Sequence, residues 1–187
     1  MGRWEPNARG RLARAAMELY SERGFEQTTV AAIAERAGLT ERTFFRHFAD
    51  KREVLFQGSA ALNELMTATV AQAPPELPPL DTAVLAIEAL GEVINQRDFS
   101  RERQRIIDAN PELQERELTK LAAMAVTLTA ALQQHGVPQP AATLAAESAI
   151  AIFRVAFGRW ISEDNHSELA ELVRDSLAEL KSLTAAA

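Results

Sequence analysis

Cysteine is absent from the chain, which excludes disulfides, thiol redox switches and cysteine-ligated metal sites. Glycine and proline number only 8 each and β-branched runs are scarce, so turn-rich β architectures are disfavoured, and the abundance of Leu and Ala points to an all-α fold. No stretch reaches 18 consecutive apolar residues, and the N-terminus is polar and arginine-rich without an apolar core segment. Neither a membrane span nor export is therefore expected, and the expected location is cytoplasmic. Catalytic patterns are also missing. His47, His135 and His166 are far apart and none has a second histidine or a carboxylate at metal-ligand spacing. His135 reads instead as a favourable charge at a helix end. Neither Gly-x-Ser-x-Gly nor a phosphate-cradling glycine loop occurs, and Glu163-Asp164 reads as a solvated loop pair. The expectation is no enzyme activity, no metal and no cofactor.

What is present is unevenly distributed. The overall charge of −6 argues against a nucleic-acid partner until it is divided along the chain. Residues 1–52 hold ten Arg/Lys against seven Asp/Glu, whereas residues 53–187 hold ten against nineteen. A cationic head on an acidic body suits a protein whose head touches phosphates while its body is held away from them. Arg3, Arg9, Arg11 and Arg14 crowd the start of a first helix over residues 7–23, closed by Gly24. Each of these arginines reads equally well as a phosphate contact or as part of a solvated face.

Residues 25–51 carry the sharpest signal. Thr28 or Thr29 opens a second helix, because a hydroxyl there can accept from an unpaired amide one turn on. Val30, Ile33, Ala34 and Ala37 give it one apolar face, and Gly38 supplies the positive φ that ends it. Thr40 is placed to cap a third helix in which Phe44 and Phe48 face inward and Glu41, Arg42, Thr43 and Arg46 point elsewhere. Two short helices joined by a tight glycine turn make a helix-turn-helix, and polar side chains on the outer face of the second can reach base edges in a major groove.

The run Gly38-Leu39-Thr40-Glu41-Arg42-Thr43-Phe44-Phe45-Arg46-His47-Phe48-Ala49-Asp50-Lys51-Arg52-Glu53-Val54-Leu55 closely resembles the DNA-binding signature of the TetR family of transcriptional regulators. The resemblance extends to Leu19-Tyr20-Ser21-Glu22-Arg23-Gly24-Phe25 and Thr28-Thr29-Val30, about the first 55 residues in all; beyond them it lies only in length and helical layout. It implies an N-terminal three-helix DNA-binding domain over residues 1–52 and a helical effector-binding and dimerisation domain over 53–187, about nine helices together. The implied partners are a double-stranded DNA operator, a second copy of the chain and an unidentified small-molecule effector, with no membrane. Thr28, Thr29, Thr40, His47 and Lys51 are the expected phosphate contacts, since short donors and helix N-termini fix register on the backbone. Arg42 is the expected base reader, because a guanidinium can bond two acceptors of guanine. Glu41 and Thr43 follow, although Glu41 can instead pair with Arg42 or Arg46. Phe45 departs from the family pattern, where a tyrosine hydroxyl often meets the DNA backbone; ring contact with a thymine methyl or a sugar is what remains.

Downstream, Asp50-Lys51-Arg52-Glu53 reads as a capping box in which Glu53 reaches back, opening a fourth helix that runs to about residue 73 and presents Lys51 toward DNA. By resemblance this helix links the two domains. Pro74-Pro75-Glu76-Leu77-Pro78-Pro79 is a linker. Further helices are expected over 80–97, with Val84, Ile87, Leu90, Val93 and Ile94 inward, and over 101–108, 111–135, 141–162 and 167–183. The last two offer Ala145, Ile152 and Ala156 opposite a seam of Leu169, Leu172, Val173, Ser176, Leu177, Leu180 and Leu183, which can be buried in the chain's own core or against a twin. The resemblance favours the twin, in an isologous pair. Leu62, Met66, Ile87, Leu90, Ile94, Leu121, Met124, Leu128, Phe153, Phe157 and Trp160 are candidates for an effector pocket, or simply core. Arg101, Arg103 and Arg105 suit either an anionic effector such as an acyl-thioester cofactor or a surface network with Glu102 and Asp108. The composite reading is a repressor released from its operator by an apolar or amphipathic molecule. A helical interaction module without DNA affinity and a cofactor-free enzyme are the competing classes.

Overall fold

A computed structural model describes residues 7–162, 164 and 166–185, so Arg3 and Glu163 lie outside the described residues. Among the described residues the chain forms nine α-helices and no strand. It divides into two compact units, and the division is not a single cut. One unit comprises the chain up to Gln57 together with Glu102–Glu117; the other comprises Gly58–Arg101 and the chain from Leu118 onward.

The first unit holds α1 (Ala8–Arg23), α2 (Val30–Arg36) and α3 (Glu41–His47), followed by a 3-10 turn at Arg52–Val54. Leu12, Leu19, Phe25, Ile33, Phe44, Phe48, Val54 and Phe56 close over one core, joined by Ile107 and Leu113 from the second segment. Each such fully buried side chain contributes about 1.5–3 kcal/mol relative to exposure. The turn between α2 and α3 is fixed locally. Gly38 has φ 63°, its N–H donates to Glu35 O at 2.9 Å, and Leu39 N–H donates to Ala34 O at 2.8 Å, which together satisfy two of the last carbonyls of α2. The Arg11 guanidinium donates to Ala37 O beside that glycine, so this arginine braces the turn.

The second unit is built around α4 (Ser59–Gln72), α5 (Pro79–Val93), α8 (Gln139–Trp160) and α9 (Leu169–Ala185). Two further helices cross the division: α6 (Arg97–Asp108) changes unit after Arg101, and α7 (Pro111–Gln134) after Glu117. Prolines pre-set the helical φ in the first turns of α5, α7 and α8. By length and composition α8 is apolar enough to cross a membrane, but Ala146, Ala149, Phe153, Ala156 and Trp160 on it are packed into the core of this unit.

Three expected boundaries differ. The fourth helix does not run on from Asp50. Asp50 Oδ1 accepts from Arg52 N at 2.8 Å and Glu53 N at 3.2 Å, capping only the 3-10 turn, and Gly58 at φ 90° interrupts the chain before α4. Glu53 does not reach back, because Arg116 holds its carboxylate at 2.8 and 3.1 Å. Helix α5 stops at Val93, where Asn95 Nδ2 donates to Glu92 O at 3.1 Å, and Val93, expected inward, is exposed. Helix α6 then begins at Arg97, four residues earlier than expected.

Candidate DNA-binding face

Both helices of the helix-turn-helix start at a threonine. Thr29 Oγ1 accepts from Ala32 N at 3.1 Å and Thr40 Oγ1 accepts from Thr43 N at 3.2 Å, each satisfying an amide that the helix leaves unpaired. Phe44 is fully buried and Phe48 nearly so, which orients α3 with Glu41, Arg42, Phe45 and Arg46 outward and Thr43 at the edge. Arg42 and Arg46 make no hydrogen bond or ion pair among the described residues, and Glu41 pairs with neither of them. Each guanidinium therefore keeps five N–H donors for an external acceptor. Arg9 lies 5.4 Å from the Phe48 ring, next to the end of α3.

Two expected phosphate contacts, Thr28 and Lys51, are placed otherwise. Thr28 is 1% exposed, and its hydroxyl donates to Gly24 O at 2.8 Å, tying the end of α1 to the start of α2. Its side chain is not at the surface. Lys51 points inward: its ammonium donates to Phe25 O at 2.8 Å, Thr28 O at 3.1 Å and Glu26 O at 3.3 Å, and sits 4.2 Å from the Phe25 ring. All three of its protons are spent on carbonyls. Its own carbonyl accepts from the Tyr20 hydroxyl at 2.6 Å, and burial, aided by the Asp50 charge, pushes that phenol well above its ordinary range. His47 is half-buried, with Nε2 enclosed and without a hydrogen-bond partner among the described residues. Thr29, Thr40 and the outward residues of α3 stay at the surface.

The second unit sorts the remaining candidates. Met66, Ile87, Leu90, Leu121, Met124, Leu128, Phe153 and Trp160 are buried in one cluster, with Leu62, Ile94 and Phe157 packed against it. Trp160 Nε1 is buried there without a hydrogen-bond partner among the described residues, and the Arg97 guanidinium stands 5.4 Å from its ring. A shallow groove of about 750 Å³ lies elsewhere, along Arg154, Val155, Gly158, Arg159 and Asp175. The helix seam expected between subunits faces inward instead. Ala145, Ile152, Ala156, Leu169, Leu172, Val173 and Ser176 are buried in the chain's own core, and Leu177 and Leu180 pack on it. Leu144 and Val155 on α8 and Leu183 on α9 are the large apolar side chains these helices leave exposed. The α6 arginines are engaged: Arg101 donates to Ile161 O at 2.7 Å and Asp98 at 3.0 Å, Arg103 to Leu55 O at 2.6 Å and Glu117 at 2.7 Å, and Arg105 lies 3.7 Å from Glu102.

Residues 12–57 match the family described as bacterial regulatory proteins, tetR family, and residues 76–185 match the MftR C-terminal domain. The chain belongs to the TetR family of transcriptional regulators. Over 82 residues it is 42% identical to the HTH-type transcriptional regulator TcmR of Streptomyces glaucescens, a stretch covering 44% of this chain and 36% of TcmR. The chain thus matches about a third of that relative's length. Among solved structures, the TetR-family repressor FadR of Thermus thermophilus in complex with lauroyl-CoA is 24% identical with a TM-score of 0.55, covering 92% of each chain. FadR of Bacillus subtilis in complex with stearoyl-CoA is 20% identical with a TM-score of 0.60, covering 91% of this chain and 96% of that one. These two likenesses establish the TetR fold, a helix-turn-helix head followed by a helical C-terminal domain.

Proposed function

We propose that this TetR-family regulator is a repressor that binds a palindromic operator as a homodimer and leaves it when an apolar or amphipathic molecule occupies the helical body. The observation that carries the reading is the outward row on α3, where Arg42 and Arg46 stand exposed and, among the described residues, unpaired on a helix whose capping and turn are fixed. Residues 1–52 form the DNA-binding part and residues 53–187 the effector-binding and dimerisation part, with the 102–117 segment packed into the head's unit. Thr29, Thr40 and Thr43 set register on phosphates, Arg42 reads a base, and Arg46 adds a sequence-blind phosphate contact. Lys51 and Thr28 act from behind, by holding the loop and helix ends in place.

Dimerisation uses the outward face of α8 and α9. Leu144, Ala151, Val155 and Gly158 recur on one side of α8 and are exposed, a narrow and mostly apolar stripe that an isologous copy can cover. The two heads then meet half-sites one helical turn, or a multiple, apart. The effector enters the cluster around Phe153, Phe157 and Trp160, where the indole N–H, unpartnered among the described residues, offers a donor to its polar end. An acyl-thioester is the class to try first, because two proteins of the same fold are named as complexes with acyl-CoA.

The test begins with selection of a duplex from a random-sequence library by the full chain. Affinity for the selected duplex is expected to fall steeply and linearly on a log–log salt plot, as counterion release requires. Failure to enrich any duplex at low salt, or affinity indifferent to salt, overturns the reading. Added lauroyl-CoA is expected to weaken DNA binding, and the duplex to weaken lauroyl-CoA binding by the same factor. Turnover of the thioester would instead favour an enzyme.

A further inference from the structure

Helix α3 leaves one large aromatic ring in water. Phe45 is 56% exposed, although the helix has a full apolar face in which Phe44 is completely buried. The ring is not loose: it meets Phe44 edge-on, with centroids 5.5 Å apart and planes at 84°, so it is propped outward by the core beneath it. Its neighbours one turn back are Glu41 and Arg42, which share its side of the helix. Phe45 has no hydrogen-bonding atom, so it cannot anchor a phosphate. In a major groove the one apolar group that distinguishes a base pair is the C5-methyl of thymine.

We propose that Phe45 is a specificity-determining residue that reads a thymine methyl, one or two base steps from the guanine read by Arg42. The spacing follows from the helix. Three residues rise about 4.5 Å along an α-helix, against about 3.4 Å per step along a DNA strand. The side shared with Arg42 places the ring over base edges rather than over the sugar wall. This inference rests on α3 being the recognition helix and adds to it a thymine requirement at a definite offset.

The experiment uses the full chain and a duplex it has enriched from a random library. Each thymine of the half-site is replaced in turn by deoxyuridine, which keeps every hydrogen-bonding group and removes only the methyl. At one position, repeated in both half-sites, affinity is expected to fall about fourfold per half-site, the worth of one buried methyl group. In the Phe45→Ala protein that difference disappears and the thymine duplex binds more weakly than to the wild type; Phe45→Leu retains part of the discrimination. Because Phe45 is exposed, these variants are expected to fold as the parent does, checked by thermal melting. The assignment is overturned if no thymine responds in the wild type, or if the response persists in Phe45→Ala. It is also overturned if the responsive thymine lies more than two steps from the base whose preference Arg42→Ala relaxes. If no duplex is enriched, the DNA-binding reading itself falls, and this inference with it; a salt-sensitive duplex without a methyl response removes only the inference.

Discussion

Two sets of arginines sit in this chain under opposite conditions. On α6, Arg97 donates to Ser167 O, Arg101 to Ile161 O, and Arg103 to Leu55 O and Glu117, so their donors are consumed inside the protein. On α3, Arg42 and Arg46 are exposed and unpaired among the described residues. The α6 helix has the higher density of arginine, yet α3 is the better surface for an anion. What decides is not how many cations a helix carries but how many of their hydrogen bonds are already made. The same accounting separates Lys51, whose three protons are spent, from Arg46, whose donors are not.

The contrast can be broken most severely at Arg103. Its side chain and that of Glu117 are largely buried, and it also stacks 5.2 Å from Phe56. Arg103→Ala removes its bonds to the Glu117 carboxylate and to the Leu55 carbonyl, and is expected to cost about 3 kcal/mol in urea unfolding. A loss below about 1 kcal/mol, the range of an exposed pair, would erase the difference between the two sets. Arg42→Ala is expected to leave the urea midpoint unchanged while costing about 1–3 kcal/mol of discrimination at one base position. Equal weakening on every sequence would make it a phosphate contact instead.

Lys51→Met sharpens the comparison further. If the ammonium holds the loop, unfolding stability falls by about 1.5 kcal/mol without DNA present. A pure phosphate contact would leave stability untouched and lower the salt slope by about 1. The smallest effect belongs to Asp50, whose carboxyl is held below its ordinary range, chiefly by the Arg52 side-chain hydrogen bond. Its folded value is depressed, so its contribution is complete above the unfolded value of about 4 and disappears as pH falls through the folded one. Because Arg52 is exposed, the Asp50→Asn difference in unfolding stability is expected to stay below about 1 kcal/mol and to shrink only below about pH 4.

Features that depend on a few consecutive residues are legible in the sequence. Thr29, Thr40 and Gly38 act where local cap and turn chemistry puts them. Thr28 and Lys51 were not legible, because their partners are backbone carbonyls whose direction exists only once the loop is folded, 23 and more residues away for the lysine. The α8–α9 seam was misassigned for a different reason. An apolar 3- and 4-residue repeat states that a face will be covered, not by what, and here Leu172, Val173 and Ala156 are covered by their own chain. The effector candidates did gather into one cluster, and their periodicity cannot separate a lining from a filling.

Gly58 carries a last consequence. It stands at the first residue of the second unit, at φ 90°, and a Cβ added there would meet nothing within 4 Å. As a joint it invites exchange of the head for another, to redirect the regulator to a new operator. But Glu53 is gripped by Arg116, and the guanidiniums of Arg103 and Arg116 stand 5.2 and 4.9 Å from the Phe56 ring. A graft cut at Gly58 alone would part the new head from the segment that supplies Ile106, Ile107 and Leu113 to its core. The transplantable cassette is two pieces of chain, with residues 102–117 travelling alongside the helix-turn-helix.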